Sequence, residues 1–211
     1  MYKKLKTIKK QKLKISENII KSYDTQKTNR IPPNQRLTKD FPILHYNGIP
    51  QFNRAKWSFR IWGLVEKEKR LNYQEFTSLP QVKVYADIHC VTGWSKLDNI
   101  WQGISSQVIK DLISIKPDAK YILINCDDGY YTNLSFDDFF QDDVLFAFKH
   151  NNQDITPEHG YPVRLVVPRL YFWKSAKWVN GVQFLAKDVP GFWESRGYHN
   201  HGDPWLEERY S

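Results

Sequence analysis

The stretch Asp87-Ile88-His89-Cys90-Val91-Thr92-Gly93-Trp94-Ser95 joins a predicted strand to a turn and places a cysteine at the junction. Residues 82–89 alternate apolar and polar side chains, a pattern typical of a β-strand, and Thr92-Gly93 predicts the turn that follows. A cysteine at a strand end is rigidly held with one side open, so Cys90 is a candidate ligand for a transition metal. A lone cysteine is also often a small buried hydrophobic residue, and that alternative stays open here.

A second segment, His159-Gly160-Tyr161-Pro162-Val163-Arg164-Leu165-Val166-Val167-Pro168, predicts a loop that leads into a buried strand. Arg164 presents a planar fork of donors that suits an oxygen-rich heterocycle or a phosphate. The run at residues 171–178 then interleaves four aromatic residues with a serine, Lys174 and Lys177. Together these donors predict a site for an anionic organic cofactor.

The motifs Asp-Ile-His-Cys-Val-Thr-Gly-Trp-Ser, His-Gly-Tyr-Pro-Val-Arg and Lys-Ser-Ala-Lys-Trp, in this order, resemble the molybdopterin-binding domain of the sulfite oxidase family. The similarity is greatest to its small, stand-alone prokaryotic members and covers roughly residues 37–210. It implies an α+β, mostly β fold of the sulfite oxidase type with a few short helices. It also implies a molybdenum cofactor, Mo-molybdopterin, with Cys90 as the catalytic protein thiolate on the metal. The implied cofactor contacts are His159, Arg164, Ser175, Ala176 and Lys177.

Three further positions match the family more loosely. Tyr198 falls where members of the sulfite oxidase type carry a catalytic tyrosine beside the metal, although a plain surface tyrosine is an equal alternative. Cys126 ends another predicted strand, where relatives carry a polar cofactor contact. A disulfide between Cys90 and Cys126 is the competing interpretation, unusual in a reducing cytosol. His45 is a candidate for contact with the pterin or the open face of the metal, or else a packed structural histidine.

The segment at residues 41–50 departs from the family, because true sulfite oxidases carry an arginine there that helps to bind the anionic substrate. This chain has none in that segment. Loss of charge-assisted hydrogen bonds weakens an oxyanion site by a few kcal/mol. We therefore expect oxygen-atom transfer on a small S- or N-oxo substrate, with a neutral sulfoxide or N-oxide favoured over sulfite.

The formal charge of +8 comes entirely from the N-terminal segment. Residues 1–30 contain ten Lys/Arg and two Asp/Glu, and the remaining 181 residues carry 21 of each sign. We predict a flexible basic tail at residues 1–30 and one molybdopterin-binding oxidoreductase domain at residues 31–211. A nearly neutral domain does not favour a nucleic-acid partner.

The sequence contains no apolar run of about eighteen residues, no hydrophobic signal core and no paired-arginine export motif. We expect a cytoplasmic protein. It also contains no haem-attachment motif, dinucleotide fingerprint or cysteine cluster, so we expect a separate electron-transfer partner. A monomer is the default expectation, since the chain ends soon after Tyr210, without the extra dimerisation domain of larger sulfite oxidases.

Two other classes of function stay open. One is a zinc- or copper-binding protein that combines Cys90 with histidines, although the histidines lack the short paired spacing of a structural zinc site. The other is a non-catalytic molybdopterin-binding or electron-transfer module.

Overall fold

The computed structural model describes residues 19–211, which form two mixed β-sheets and three short α-helices. The strands are Ile19–Lys21 (β1), Arg36–Leu37 (β2), Ser58–Gly63 (β3), Lys69–Asn72 (β4), Gln81–Cys90 (β5), Trp94–Ser105 (β6), Tyr121–Cys126 (β7), Tyr131–Ser135 (β8), Leu145–His150 (β9), Gln153–Asp154 (β10), Arg164–Val166 (β11) and Val179–Leu185 (β12). The helices are Tyr73–Thr77 (α1), Ser106–Leu112 (α2) and Phe136–Phe139 (α3). The α+β, mostly β fold expected from the sequence is confirmed.

The first sheet carries the residues that the sequence analysis singled out. Its strands run in the order β1-β5-β6-β9-β10, with β2 added to β6 and β11 added to β9. Strands β5 and β6 form an antiparallel hairpin in which Cys90 pairs with Trp94, so the turn after Cys90 lies at one end of the sheet. Arg164 begins β11 opposite Ala147. One sheet therefore positions both the thiol and the guanidinium.

The second sheet has the order β4-β3-β12-β7-β8 and supplies much of the larger buried cluster. On β7, Ile122, Ile124 and Cys126 are buried, whereas the residues between them are only partly so. This period-two alternation directs one face of the strand into the core. Burial of each such side chain stabilises the folded protein by roughly 1.5–3 kcal/mol.

Residues 19–30, the second part of the predicted tail, pack onto the domain. Strand β1 runs parallel to β5, and Ser22 and Asp24 are buried. Arg30 donates to both carboxylate oxygens of Asp87, at 2.8 and 2.6 Å. A buried carboxylate requires such a partner, which ties this segment to the strand that carries Cys90. The rest of the predicted tail, residues 1–18, lies outside the described residues.

Strand β6 was not predicted, although at twelve residues it is the longest strand described. Within it, Asp98 has a left-handed φ of 63°, and a Cβ on Gly103 would overlap the backbone of Phe146. The strands predicted before Cys90, at Cys126 and at Arg164 are confirmed as β5, β7 and β11. Helix α2 begins after Ser105, whose Oγ accepts from Gln107 N as an N-cap.

Candidate active site

A cavity of about 320 Å³ opens beside the Cys90 turn. Its other walls come from residues 41–46, from residues 172–178 and from the C-terminal segment around Trp193 and Tyr198. The lining is mainly aromatic: Phe41, Tyr46, Trp94, Tyr130, Phe172, Trp173, Trp178, Trp193 and Tyr198. A mainly apolar cavity of this size with a few polar groups is typical of a small-molecule site.

Cys90 lines this cavity and is nearly buried, with 7% of its surface exposed. Thr92 Oγ1 donates a hydrogen bond to Cys90 Sγ at 3.2 Å. Burial raises the pKa of the Cys90 thiol, while the hydrogen bonds from Thr92 and the charge of Arg209 act in the opposite direction. A bound metal ion would favour the thiolate, so this side chain fits the role of a metal ligand.

Arg164 is buried, and its donors go to backbone carbonyls. Its Nη1 donates to the oxygen of His159 and its Nη2 to that of Ser175, both at 2.9 Å. Burial lowers the pKa of the Arg164 guanidinium to about 9. Within residues 19–211 this cation makes no ion pair, which leaves its charge available to an anionic ligand.

Lys177 is half-buried and adds a second cation to the cavity lining. Its Nζ donates to the carbonyl oxygens of Leu44, at 2.7 Å, and Glu158, at 2.6 Å. Burial and the nearby Arg164 lower the pKa of Lys177 to about 7, although Asp128 and Glu158 oppose this. An anionic group would relieve the repulsion between the two cations. These residues therefore fit the phosphate-bearing end of molybdopterin.

Ser175 and Ala176 line the cavity between these cations, as expected. Ser175 Oγ accepts from Val167 N at 2.9 Å, and the Ala176 carbonyl accepts from Leu165 N at 2.8 Å. These bonds hold the segment alongside β11. The Ser175 hydroxyl therefore stabilises the backbone beside the cavity.

Tyr198 also lines the cavity. Its ring stacks on Trp193 at 5.0 Å and meets Trp173 edge-on at 5.1 Å. Burial raises the pKa of the Tyr198 phenol, with smaller contributions from Tyr210 and Cys90. The structure therefore places a protonated phenol among the groups around Cys90, as a catalytic hydrogen-bond donor requires.

His45 lies at the exposed side of the cavity lining. Its Nδ1 donates to the carbonyl of Asn47 at 2.6 Å. The ring meets Trp178 edge-on at 6.0 Å. His45 is therefore held at the cavity wall by a hydrogen bond within its own loop, and its predicted contact with the cofactor stays a prediction.

Cys126 is not among the residues that line the cavity, and its predicted contact with the cofactor stays a prediction. It packs in the larger apolar cluster, where burial raises the pKa of its thiol well above the ordinary value. Both cysteines are free thiols, carried by different sheets, so the structure does not contain the alternative disulfide. Asp128 and Tyr130, which follow Cys126 in the chain, line the cavity instead. The turn-forming Asp127-Asp128-Gly129 after the strand was the signal that could have identified them.

His159 is also not among the residues that line the cavity, and its predicted contact with the cofactor stays a prediction. Its ring stacks on Phe41 at 3.9 Å, and its backbone carbonyl accepts from Arg164. Burial and the charges of Arg164 and Lys177 lower the pKa of His159 to about 4, which keeps the imidazole neutral. The backbone of His159 thus helps to hold the Arg164 guanidinium in place.

Lys174 serves a structural purpose rather than the expected phosphate contact. Its Nζ forms an ion pair with Glu194 at 2.5 Å and donates to Asn133 Oδ1 at 2.9 Å and the Asn200 carbonyl at 2.7 Å. Burial lowers the pKa of Lys174, and Glu194 opposes that shift. The ammonium has its partners and lies outside the cavity lining.

The zinc or copper alternative has no support in the described part of the chain. Residues 19–211 contain no group of three or more His, Cys, Asp or Glu side chains arranged to hold a metal ion. His201 lies between Asp138, at 3.4 Å, and Glu208, at 2.9 Å, which raise its pKa to about 9. A histidine that holds its proton so firmly is a poor metal ligand.

Comparisons with known proteins agree with this site. The profile of the family described as oxidoreductase molybdopterin binding domain matches residues 46–193. The uncharacterized oxidoreductase YuiH of Bacillus subtilis (strain 168) is 43% identical over 192 residues, which are 90% of this chain and 97% of YuiH. A putative protein-methionine-sulfoxide reductase subunit, YedZ1, of Azospira oryzae is 27% identical, over 85% of this chain and 70% of its own.

A solved structure shows the same fold. The sulfane dehydrogenase SoxCD of Paracoccus pantotrophus superposes with a TM-score of 0.64 at 22% identity, over 72% of this chain and 43% of the other. Among residues 19–211, the cavity lining offers a thiol and two cations that form no ion pair, and this donor set fits the family's cofactor. The chain therefore belongs to the oxidoreductase molybdopterin-binding family and is a molybdopterin-dependent oxidoreductase of the sulfite oxidase type.

Proposed function

We propose that this oxidoreductase removes the oxygen atom from a small, neutral sulfoxide or N-oxide. In balanced form, the substrate takes up two electrons and two protons and yields the sulfide or amine and one water. The observation that carries the proposal is the aromatic lining of the cavity around Cys90, formed by residues such as Trp94, Trp173 and Trp193. Such walls suit an apolar substituent on a polarisable sulfur.

The position of the cations supports a neutral substrate. Arg164 and Lys177 already bind backbone carbonyls, and they lie with the segment that fits the phosphate of the cofactor. The loop at residues 41–50 contains no arginine and offers His45 at the cavity wall. Sulfite, a dianion, would lack the fork of donors that charge-assisted binding requires.

The side chains of the site have distinct tasks in this proposal. The molybdenum centre, when bound, supplies the two-electron redox chemistry. Cys90 holds the metal, Thr92 donates to the Cys90 sulfur, and Tyr198 keeps a proton that it can donate to a substrate oxygen. The indole of Trp193 holds the Tyr198 ring in place through stacking.

We further propose that the electrons come from a separate redox protein. YedZ1 of Azospira oryzae and MsrP of Campylobacter jejuni are both named as subunits of protein-methionine-sulfoxide reductases, which supports an arrangement with a second component. Among residues 19–211 no helix is long and apolar enough to cross a bilayer. The cytoplasmic location stays a prediction, which immunoblotting of fractionated cells would test.

Steady-state assays of the molybdenum-loaded protein test the proposal. Reduced benzyl viologen supplies electrons, with dimethyl sulfoxide, methyl phenyl sulfoxide and trimethylamine N-oxide as substrates, and sulfite with ferricyanide is measured in parallel. We expect turnover of the neutral oxides, with methyl phenyl sulfoxide giving the highest kcat/KM. The Cys90→Ser variant should fold but lose this turnover by at least about 100-fold. A kcat/KM for sulfite above that of every neutral oxide would contradict the proposal, and no turnover of any substrate would favour a non-catalytic module.

A further inference from the structure

Groups that are distant in sequence donate hydrogen bonds to the backbone of the turn that follows Cys90. The Cys90 carbonyl accepts from Gln35 Nε2 at 3.1 Å as well as from Gly93 N at 3.0 Å. The Gly93 carbonyl accepts from Arg36 N at 3.0 Å. The Val91 carbonyl accepts from Arg209 Nη1. The donors at residues 35, 36 and 209 all lie outside residues 46–193, which the family profile matches.

Arg209 is the donor in this set that reaches the turn through a charged side chain, since Arg36 donates through its backbone N. Its side chain is 19% exposed and forms a long ion pair with Glu207, with 4.0 Å between Nε and Oε1. Its guanidinium lies 5.2 Å from the centre of the Tyr171 ring. Its Nη2 is buried and forms no hydrogen bond within the described residues. The charge therefore sits in a poorly solvated place, one peptide away from the metal ligand.

The backbone around Arg209 is fixed to the rest of the site. Tyr210 pairs with Tyr198 in an antiparallel bridge, and the Arg209 carbonyl accepts from His199 N at 3.1 Å. Glu207 Oε1 accepts from Asn34 Nδ2 at 2.7 Å, which links the C-terminal segment at residues 207–210 to the segment that carries Gln35. These two segments thus meet at the turn that follows Cys90.

We propose that Arg209 is a positioning residue that orients the Cys90 turn and places a fixed positive charge behind the metal ligand, with Gln35 holding the same turn from its other side. A fixed cation stabilises the more electron-rich state of a neighbouring redox centre, because reduction adds negative charge there. Arg209 therefore raises the reduction potential of the bound molybdenum. Hydrogen bonds to the turn fix the direction of the sulfur and hence the electronic structure of the metal.

Redox titration of the molybdenum-loaded protein, followed by EPR, tests this inference. We expect Arg209→Gln to shift the midpoint potential of the metal to a lower value and to change its EPR g values. Arg209→Lys, which keeps the charge, should restore most of the potential. Gln35→Leu should change the g values with a smaller shift in potential, because no charge is lost. We also expect Arg209→Gln to lower kcat by about 10-fold or more, with little change in KM.

Arg60→Gln is the matched control, since Arg60 also pairs with a carboxylate, Glu68, at 2.8 Å and lies over an aromatic ring, Trp62, but outside the cavity lining. It should leave both readouts unchanged. A purely structural role for Arg209 would lower the melting temperature alone, and an unchanged potential and EPR signal in Arg209→Gln would overturn the proposal. If Arg209→Gln does not accumulate in loaded form, unchanged g values in Gln35→Leu would overturn it instead. These readouts follow the metal rather than the substrate, so they are independent of the proposed sulfoxide chemistry.

Discussion

Lys174 and Lys177 stand three residues apart, and their surroundings differ in charge. Lys174 is buried against Glu194, and its ammonium also donates hydrogen bonds to amide and carbonyl oxygens. Lys177 lines the cavity next to Arg164, and its hydrogen bonds go to two neutral carbonyls. One region therefore has its charge balanced by the protein, whereas the other carries two cations without an ion pair among the described residues.

This difference separates a structural cation from a ligand-binding one. A balanced buried ion pair needs no further partner, and the loss of either member leaves an unpaired charge in the interior. Burial and the charge of Arg164 lower the pKa of Lys177, so an anion bound beside the two cations would favour the charged form of Lys177. The contrast predicts that changes at Lys174 act on folding and that changes at Arg164 and Lys177 act on cofactor binding.

The largest effect is expected for Lys174→Met. This change leaves the buried Glu194 carboxylate without its cation and should lower the free energy of unfolding by about 3–5 kcal/mol. Urea denaturation of the cofactor-free protein measures it. Lys177→Met, the matched control, breaks two hydrogen bonds to carbonyls but no ion pair, so it should lower the stability by less, about 1–2 kcal/mol. Equal losses in the two variants would remove the distinction between the two regions.

Arg164→Ala should act mainly on cofactor content. The variant removes a buried guanidinium whose charge-assisted bonds to an anion are worth about 1.5–3 kcal/mol each, so molybdenum per chain should fall by about 10-fold or more at limiting cofactor. Elemental analysis of protein purified from a host that makes molybdopterin measures this. Arg60→Ala, which removes an arginine from outside the cavity, should load normally. Full molybdenum loading in Arg164→Ala would show that its charge is not used.

The smallest effect is a pH dependence of anion binding. Lys177 has a folded-state pKa of about 7, below its ordinary 10.5, so it loses its charge as the pH rises through 7. The affinity of the cofactor-free protein for sulfate should then fall, by at most about tenfold per pH unit, between about pH 7 and 9. The stabilisation of the protein by sulfate, followed as a thermal shift from pH 6 to 9, measures this. Lys177→Arg should remove the slope, and a slope that persists there would assign it to another group.

The contribution of Lys177 to folding stability rises with pH, whereas its contribution to sulfate binding falls. Between about pH 7 and 10.5 the unfolded chain keeps the Lys177 proton that the folded protein has lost. The contribution of this group to stability is therefore lowest below pH 7 and rises toward pH 10.5.

Local patterns predicted the strand before Cys90 and the buried strand of Arg164, because these depend on the alternation and the apolar runs of neighbouring residues. Strand β6 was missed because Asp98, Asn99 and Gly103 disfavour strands. Its stability comes from pairing with β5 on one side and β9 on the other, which is a long-range property.

The sequence by itself determined the family and its cofactor, because the motifs around Cys90, Arg164 and Lys177 resemble, in residue type and order, those of the molybdopterin-binding domain, and it made Cys90 the predicted metal ligand. Only the tertiary structure decided which of the two lysines is paired inside the protein and which one lines the cavity. Lys174 and Lys177 have the same side chain and neighbouring positions, and their roles differ because Glu194 approaches one of them from the C-terminal segment. The electrostatic environment of a buried charge depends on partners brought together by the fold, and these include Arg209 behind Cys90.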